Sequence, residues 1–281
     1  MGIFDFFRRS DNKADRLGKK GGEVSSKEVA RWEQKAGDKR AQNYDRQEAL
    51  SQLAELAGPV DADKRADLEK TPEGKLELER REAMRREAAA ALLRRFTFTI
   101  DPSITDQEEK QIAEGGVLGA GDHALEPIRT FAAKAESLSW PMRILKALLE
   151  PDAYVDELLA WLSKWDTEYA KFIDPKIQLL VELEEIKHPK VLEAVKPFLL
   201  DVNETARFHA VGATLAQDDA SACASLIADA FNDEESVRVR QRIAEGFIAR
   251  AWAVPEELRA DARKSLPSGY NIDGEGRFTK R

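Results

Sequence analysis

One cysteine, three histidines and three methionines are spread over 281 residues. A single thiol, Cys223, excludes an intramolecular disulfide framework and any metal site built of thiolates alone. It sits in the small-residue run Ala220 to Ala224, which reads as packed core. His123, His188 and His209 have no metal-ligand spacing, so neither a metal nor a cofactor is expected. Three scattered imidazoles and one thiol also give no nucleophile–base pair, and no catalytic residue is assigned. Nowhere do 18 apolar residues run together, so no membrane-spanning helix is expected. The start, Met1 to Phe7, is too short for a signal peptide and has no cleavage site. Positive charge is in deficit, with 44 Lys and Arg against 52 Asp and Glu. A net charge of -8 argues against a nucleic-acid partner, because duplex binding relies on clustered cations that displace counterions. The expectation is a chain of the reducing cytoplasm.

What is present is long amphipathic patterning, with 42% hydrophobic and 34% charged residues. Ile3, Phe4, Phe6 and Phe7 form an apolar tip before Arg8-Arg9. Residues 9–26 lose apolar content and read as a flexible linker. Three segments are therefore expected: tip plus linker over 1–26, a helical body over 27–268, and a polar tail over 269–281 that frays. Within the body, Ala49, Leu50, Leu53, Leu56 and Ala57 recur at helical spacing and Gly58-Pro59 ends the run. Residues 60–81 are almost wholly charged and read as a partly helical, solvated insertion. A helix is expected over Glu82 to Arg95, followed by an extended connection burying Phe96, Phe98 and Ile100. The glycine-dense Gly115 to Gly121 reads as a helix end, since it lacks the Lys-Ser/Thr of a phosphate loop. Beyond it, Ser139, Pro151, Asp174, His188, Asn203, Asp219, Asp233 and Pro255 mark helix starts.

Two segments repeat. Glu204-Thr-Ala-Arg207 opens one helical run and Glu235-Ser-Val-Arg238 opens another 31 residues on, with Ala213 set against Ala244. A recurrence at a period of 20–50 residues is the mark of a solenoid, in which each unit buries its apolar stripe only by stacking on its neighbours. Paired helices with an acidic turn and a Val-Arg step resemble HEAT repeats. The segments Asp101 to Lys110 and Trp165 to Asp174 also resemble those of bacterial HEAT-repeat proteins. The resemblance implies an all-α, right-handed solenoid of about five to six helix pairs, with a flexible N-terminal arm. It further implies a structural role for Arg207 and Arg238, each reaching an acidic inter-repeat turn. It brings no assigned activity.

The function expected is a non-enzymatic scaffold or adaptor that binds a protein along a concave face built from the second helices. Candidate contact residues are Trp161, Trp165 and Tyr169, with Arg242 and Arg250 extending a positive strip. Ile3, Phe4, Phe6 and Phe7 are candidates for docking, on a protein, a membrane surface or the chain's own body. The competing reading is a HEAT-type enzyme or accessory, either DNA glycosylase-like, with Asp166 among aromatics, or prosthetic-group lyase-like. Between Glu150 and Glu204 there are 13 acids against 6 lysines and no arginine, which repels a phosphate backbone and disfavours the glycosylase.

Overall fold

The computed structural model describes residues 26–281. The apolar tip Ile3, Phe4, Phe6 and Phe7 and nearly all of the linker lie outside the described residues. The chain is all-α in class, mostly helical with 3% strand. The described residues form two compact units, 26–127 and 128–281.

In the first unit α1 (Ser26–Ala36), α2 (Asn43–Ala57), α4 (Pro72–Leu93) and α5 (Ser103–Ala120) pack together. The short α3 (Ala62–Leu68) buries nothing and contacts α4. α2 buries Ala49, Leu50, Leu53 and Ala57, residues three and four apart on one stripe. The charged segment 60–81 is helical over most of its length. Asp61 caps α3 through the Asp63 and Lys64 amides, and Thr71 caps α4 through the Gly74 amide at 3.0 Å. α4 then runs unbroken to Leu93. Residues Arg94–Thr97 form a 3-10 turn, and Phe96, Phe98 and Ile100 are only half-buried.

The glycine-dense segment closes α5, with Gly121 at its C-cap (φ 58°), but Gly116 lies inside the helix. A Cβ at Gly116 would lie 2.6–2.8 Å from Leu92 and Ala54 atoms, so the missing side chain lets α5 cross α4 and α2 closely. Five buried ionic groups tie the unit together. Arg46 grips both oxygens of Glu109 at 2.9–3.1 Å. Arg95 bridges Glu109 and Asp106, both at 2.7 Å, and Lys110 meets Asp106 at 2.7 Å. Burial pulls the Asp106 carboxyl up, but hydrogen bonds from Lys110 and Arg95 outweigh it and hold the group below the usual carboxylate range.

The boundary between the units falls within α6 (Leu125–Ala132). The second unit continues with α7 (Ser139–Leu148), α8 (Pro151–Leu162), α9 (Asp174–Glu184), α10 (Pro189–Val195), α11 (Glu204–Leu215), α12 (Ala220–Asp233), α13 (Val237–Arg250) and α14 (Arg259–Lys264). Side-chain caps fix the starts of α10, α11, α12 and α13: His188, Asn203, Asp219 and Ser236 each accept from an amide of the following turn. Asp233, expected to open a helix, closes α12 instead.

That shift changes the repeat register. α9 packs on α11, and α11 on α13. The buried residues Ala206, Ala210, Val211, Ala213 and Thr214 of α11 correspond to Val239, Ile243, Ala244, Gly246 and Phe247 of α13, an offset of 33. One helix earlier, Pro175, Leu179, Leu180 and Leu183 of α9 correspond to Ala206, Ala210, Val211 and Thr214. The 31-residue match between Arg207 and Arg238 is therefore corrected: the counterpart of Arg207 is Arg240, and that of Ala206 is Val239, not the exposed Val237.

The polar tail is corrected too. Residues Tyr270–Ile272 (β1) and Phe278–Lys280 (β2) pair as an antiparallel hairpin. Asp273 Oδ1 accepts from the Glu275 and Arg277 amides and shapes the turn. Phe278 meets the rings of Phe231 and Phe247 edge-on at 5.4 and 5.3 Å, so the hairpin covers apolar surface of α12 and α13.

Candidate functional site

The turns that precede α11 and α13 are clamped by bases. Lys176, fully buried on α9, places Nζ 2.7 Å from Asp201 Oδ2 and 3.2 Å from the Asp166 carbonyl. Asp201 in turn accepts from the Asn203 amide at 2.8 Å. Val202 donates its amide to the Thr167 carbonyl at 3.0 Å, pinning the loop 163–173 against the turn 201–203. Arg207 repeats the arrangement one helix on. Its Nε and Nη2 grip Glu234 at 2.8 and 2.9 Å, while Nη1 donates to the Asp201 carbonyl at 2.8 Å. Glu234 also accepts from the Ser236 amide at 2.7 Å. Arg240 closes the series by donating Nε to the Glu234 carbonyl. The bond to Glu234 raises the Arg207 guanidinium above its ordinary value. Burial pulls Glu234 up, yet Arg207 and the Ser236 amide win and hold it low. These groups are consumed by holding turns, and nothing in them is free for chemistry.

The clamps leave apolar side chains in solvent. Tyr169 is 84% exposed and Phe172 65%, both on the loop 163–173. Leu200 is 66% exposed and Val202 57%, on either side of the buried Asp201. Val237, 57% exposed, follows the turn held by Arg207. Because Lys176 and the Val202 amide join the first turn to the second, and Arg207 joins the second to the third, all five residues lie along one edge of the second unit. Scattered exposed apolar residues are ordinary; five on three linked turns make these turns the candidate surface.

The other sequence candidates do not converge with this edge. Trp161 is buried in α8 at 4% exposure, and its Nε1 has no hydrogen-bond partner among the described residues. It is a packing residue and offers no surface. Trp165 is half-buried. The carboxylate of Asp166 accepts from the Glu168 amide at 3.1 Å, shaping the turn before Tyr169. Of the three aromatic candidates, only Tyr169 stands in solvent.

Arg242 is engaged elsewhere. Its Nη2 lies 2.5 Å from Glu184 Oε2, and its guanidinium lies 4.0 Å from the Phe208 ring centre. Arg238 lies 3.8 Å from the same ring centre and 3.2 Å from Glu204. It is exposed, and no buried acid of an inter-repeat turn meets it. His209 Nδ1 approaches Glu184 Oε1 at 2.6 Å. Burial raises the Glu184 carboxyl, but His209 and Arg242 hold it below the usual range. Gly212 makes this cluster possible: a Cβ there would sit 2.0 Å from Arg242 Nη2 and 2.5 Å from the Glu184 carboxyl carbon. Arg250 lies over Trp252 at 5.6 Å and does not extend a strip from Arg242.

A groove of about 370 Å³ lies between α7 and α9, floored by Met142, Ile177 and Val181. Its Lys146 and Tyr154 both engage Glu182, at 2.7 and 3.1 Å. Cys223 is buried, and burial together with Asp219 pushes its thiol up to about 11, which makes it unreactive. No group of three His, Cys, Asp or Glu among the described residues is placed to hold a metal ion, and no described helix is long and apolar enough to cross a membrane.

Of the exposed apolar residues on these turns, sequence reasoning missed Phe172, Leu200, Val202 and Val237. Their signal was an apolar residue inside an otherwise polar turn, as in Leu200-Asp-Val-Asn203. No protein-family model matches the chain, and neither a curated protein nor a solved structure matches it.

Proposed function

We propose that the chain is a non-enzymatic, HEAT-like protein-binding module, and that its second unit supplies the contact surface. The observation that carries this reading is the row Tyr169, Phe172, Leu200, Val202 and Val237, exposed on successive clamped turns. A rigid repeat holds such residues at fixed spacing, which lowers the ordering cost of binding. The proposed surface is this turn edge, in place of the second-helix face expected from the sequence. The buried polar groups support a binding role over a catalytic one, because each is used to hold a turn or a helix pair.

Affinity capture tests the reading. The full chain and a Tyr169→Ser/Phe172→Ser variant are used as bait in the source lysate, with circular dichroism checking that both fold alike. A discrete protein retained by the parent and lost from the variant is the expected result. Retention that the variant leaves unchanged, or no retained protein, contradicts it.

A further inference from the structure

The charges around the turn edge specify the kind of partner, given the protein-binding reading on which this inference rests. Asp166, Glu168 and Asp174 are exposed around Tyr169 and Phe172. Asp233 and Glu235 are exposed beside Val237, and Glu204 beside Val202. Of these six carboxylates only Glu204 forms a salt bridge among the described residues, with Arg238 at 3.2 Å. The exposed bases on the same segments are Lys164, Lys171 and Arg238. Lys171 lies over the Phe172 ring at 5.1 Å and Arg238 over Phe208, so two of the three are already engaged. The edge is thus an apolar row bordered by six exposed carboxylates, five of which form no salt bridge among the described residues. The acids that do have strong partners, Asp201 and Glu234, are the buried ones.

We propose that this edge binds a cationic amphipathic segment of a partner protein, with Lys or Arg flanking large apolar residues. Each apolar residue would cover one exposed turn, and the flanking cations would meet Asp166, Glu168, Asp174, Asp233 and Glu235. Spacing agrees with a helical segment. Packed helices stand about 8–10 Å apart, so successive turns recur at about that distance. Residues seven apart on a partner helix are about 10.5 Å apart. An anionic membrane or nucleic acid is repelled by the same carboxylates. A second copy presented edge to edge places acid against acid, which opposes an isologous dimer.

The test uses the full chain and three fluorescein-labelled 18-residue peptides of one helical design. The first carries Leu and Phe on one face and Lys on the other. In the second, Glu replaces Lys; in the third, Ser replaces Leu and Phe. Anisotropy titration at physiological salt is expected to show the first binding at least about tenfold more tightly than either other, since both charge and apolar anchors contribute. Glu168→Lys/Glu235→Lys and Tyr169→Ser/Phe172→Ser should each weaken the first peptide about tenfold. Glu150→Lys/Glu185→Lys, which makes the same change of charge at the ends of α8 and α9 opposite the edge, should change it less than twofold. Two other results overturn the partner class while leaving a protein-binding edge intact: preference for the Glu peptide, or sensitivity to the edge aromatics with indifference to the charge reversal. Equal weakening by the remote charge pair shows bulk attraction to an acidic protein and overturns the site. Self-association of the parent in sedimentation velocity, abolished by Tyr169→Ser/Phe172→Ser, assigns the edge to a second copy and overturns the proposal. Binding to phosphatidylserine vesicles with the same dependence overturns it as well.

Discussion

Arg207 stands four residues beyond the cap Asn203, and Arg240 four beyond the cap Ser236. Each turns back to donate to the carbonyl two residues before its cap, Asp201 for the first and Glu234 for the second. Arg207 alone also reaches forward to a buried acid, Glu234, as Lys176 reaches Asp201 one helix earlier. A base that holds both its own turn and the next one locks neighbouring helix pairs in register.

Arg207 and Arg238 should therefore differ in a thermal or urea melt. Arg207→Ala leaves Glu234 buried without its cation and should cost about 3 kcal/mol, the range for breaking a buried pair. Arg238→Ala removes an exposed pair and a ring contact and should cost less than about 1 kcal/mol. Glu234→Gln added to Arg207→Ala should recover part of the loss, because the stranded charge is gone. Equal losses at Arg207 and Arg238 would contradict the 33-residue register.

Gly212 is fixed by packing against charge. In Gly212→Ala the new methyl group occupies the place of Arg242 Nη2, so the guanidinium must leave Glu184. The expected loss is about 1–3 kcal/mol, the cost of overpacking plus a weakened pair. Gly115→Ala, in α5 with open space around its Cβ, should instead raise stability by up to about 1 kcal/mol. Denaturant midpoints for the two variants should move in opposite directions; movement in the same direction refutes the packing argument.

Asp106, Glu184 and Glu234 all have folded-state values held below the ordinary carboxylate range. Each then contributes stability that is fully present above its unfolded value, about 4 for a carboxylate. That stability disappears as pH falls through the folded values. The melting temperature should be level from neutral to roughly pH 5 and drop below about pH 4. Glu184→Gln should melt lower at neutral pH and show a shallower acid slope. A parent melting curve unchanged down to pH 3 runs against the assigned shifts.

Trp161 gives a contrast of size against polarity. Its Nε1 is buried with no hydrogen-bond partner among the described residues, so the indole N–H contributes nothing favourable. Trp161→Phe should cost about 1 kcal/mol or less, while Trp161→Ala opens a cavity and should cost about 3–5 kcal/mol. A large loss in Trp161→Phe, measured by chemical unfolding, indicates a bond that the indole makes in solution.

Much of the second unit could be read from its punctuation. Pro151 and Pro175 are prolines in the first turn, and His188, Asn203 and Asp219 are capping side chains, at the observed helix starts. The start at Asp233 failed because three polar residues, Asp233, Glu234 and Glu235, precede the true cap Ser236. That slip displaced the repeat match by two residues and selected Arg238 over Arg240. Gly116 misled for a different reason: its role is a close crossing with Leu92 and Ala54, distant in sequence, which local turn chemistry cannot register. The hairpin was overlooked although Asp273-Gly274 lies between short alternating runs, a legible hairpin signal. Its anchor Phe278 stands out in a polar segment only once Phe231 and Phe247 are known to face it. The turn edge was the least legible part. Whether an apolar residue in a turn is covered depends on tertiary packing, and Trp161 and Tyr169, eight residues apart, fall on opposite sides of that division.

The most direct test of the proposed function is site-specific photocrosslinking in the source cells. Benzoylphenylalanine is placed at Tyr169 on the turn edge, or at Ser221, an exposed position in the first turn of α12, about 18 Å along the helix from Asp233. Irradiation should give one discrete protein adduct from position 169 and none of that mass from position 221. The absence of an adduct at 169, or the same adducts from both positions, would contradict a protein-binding edge.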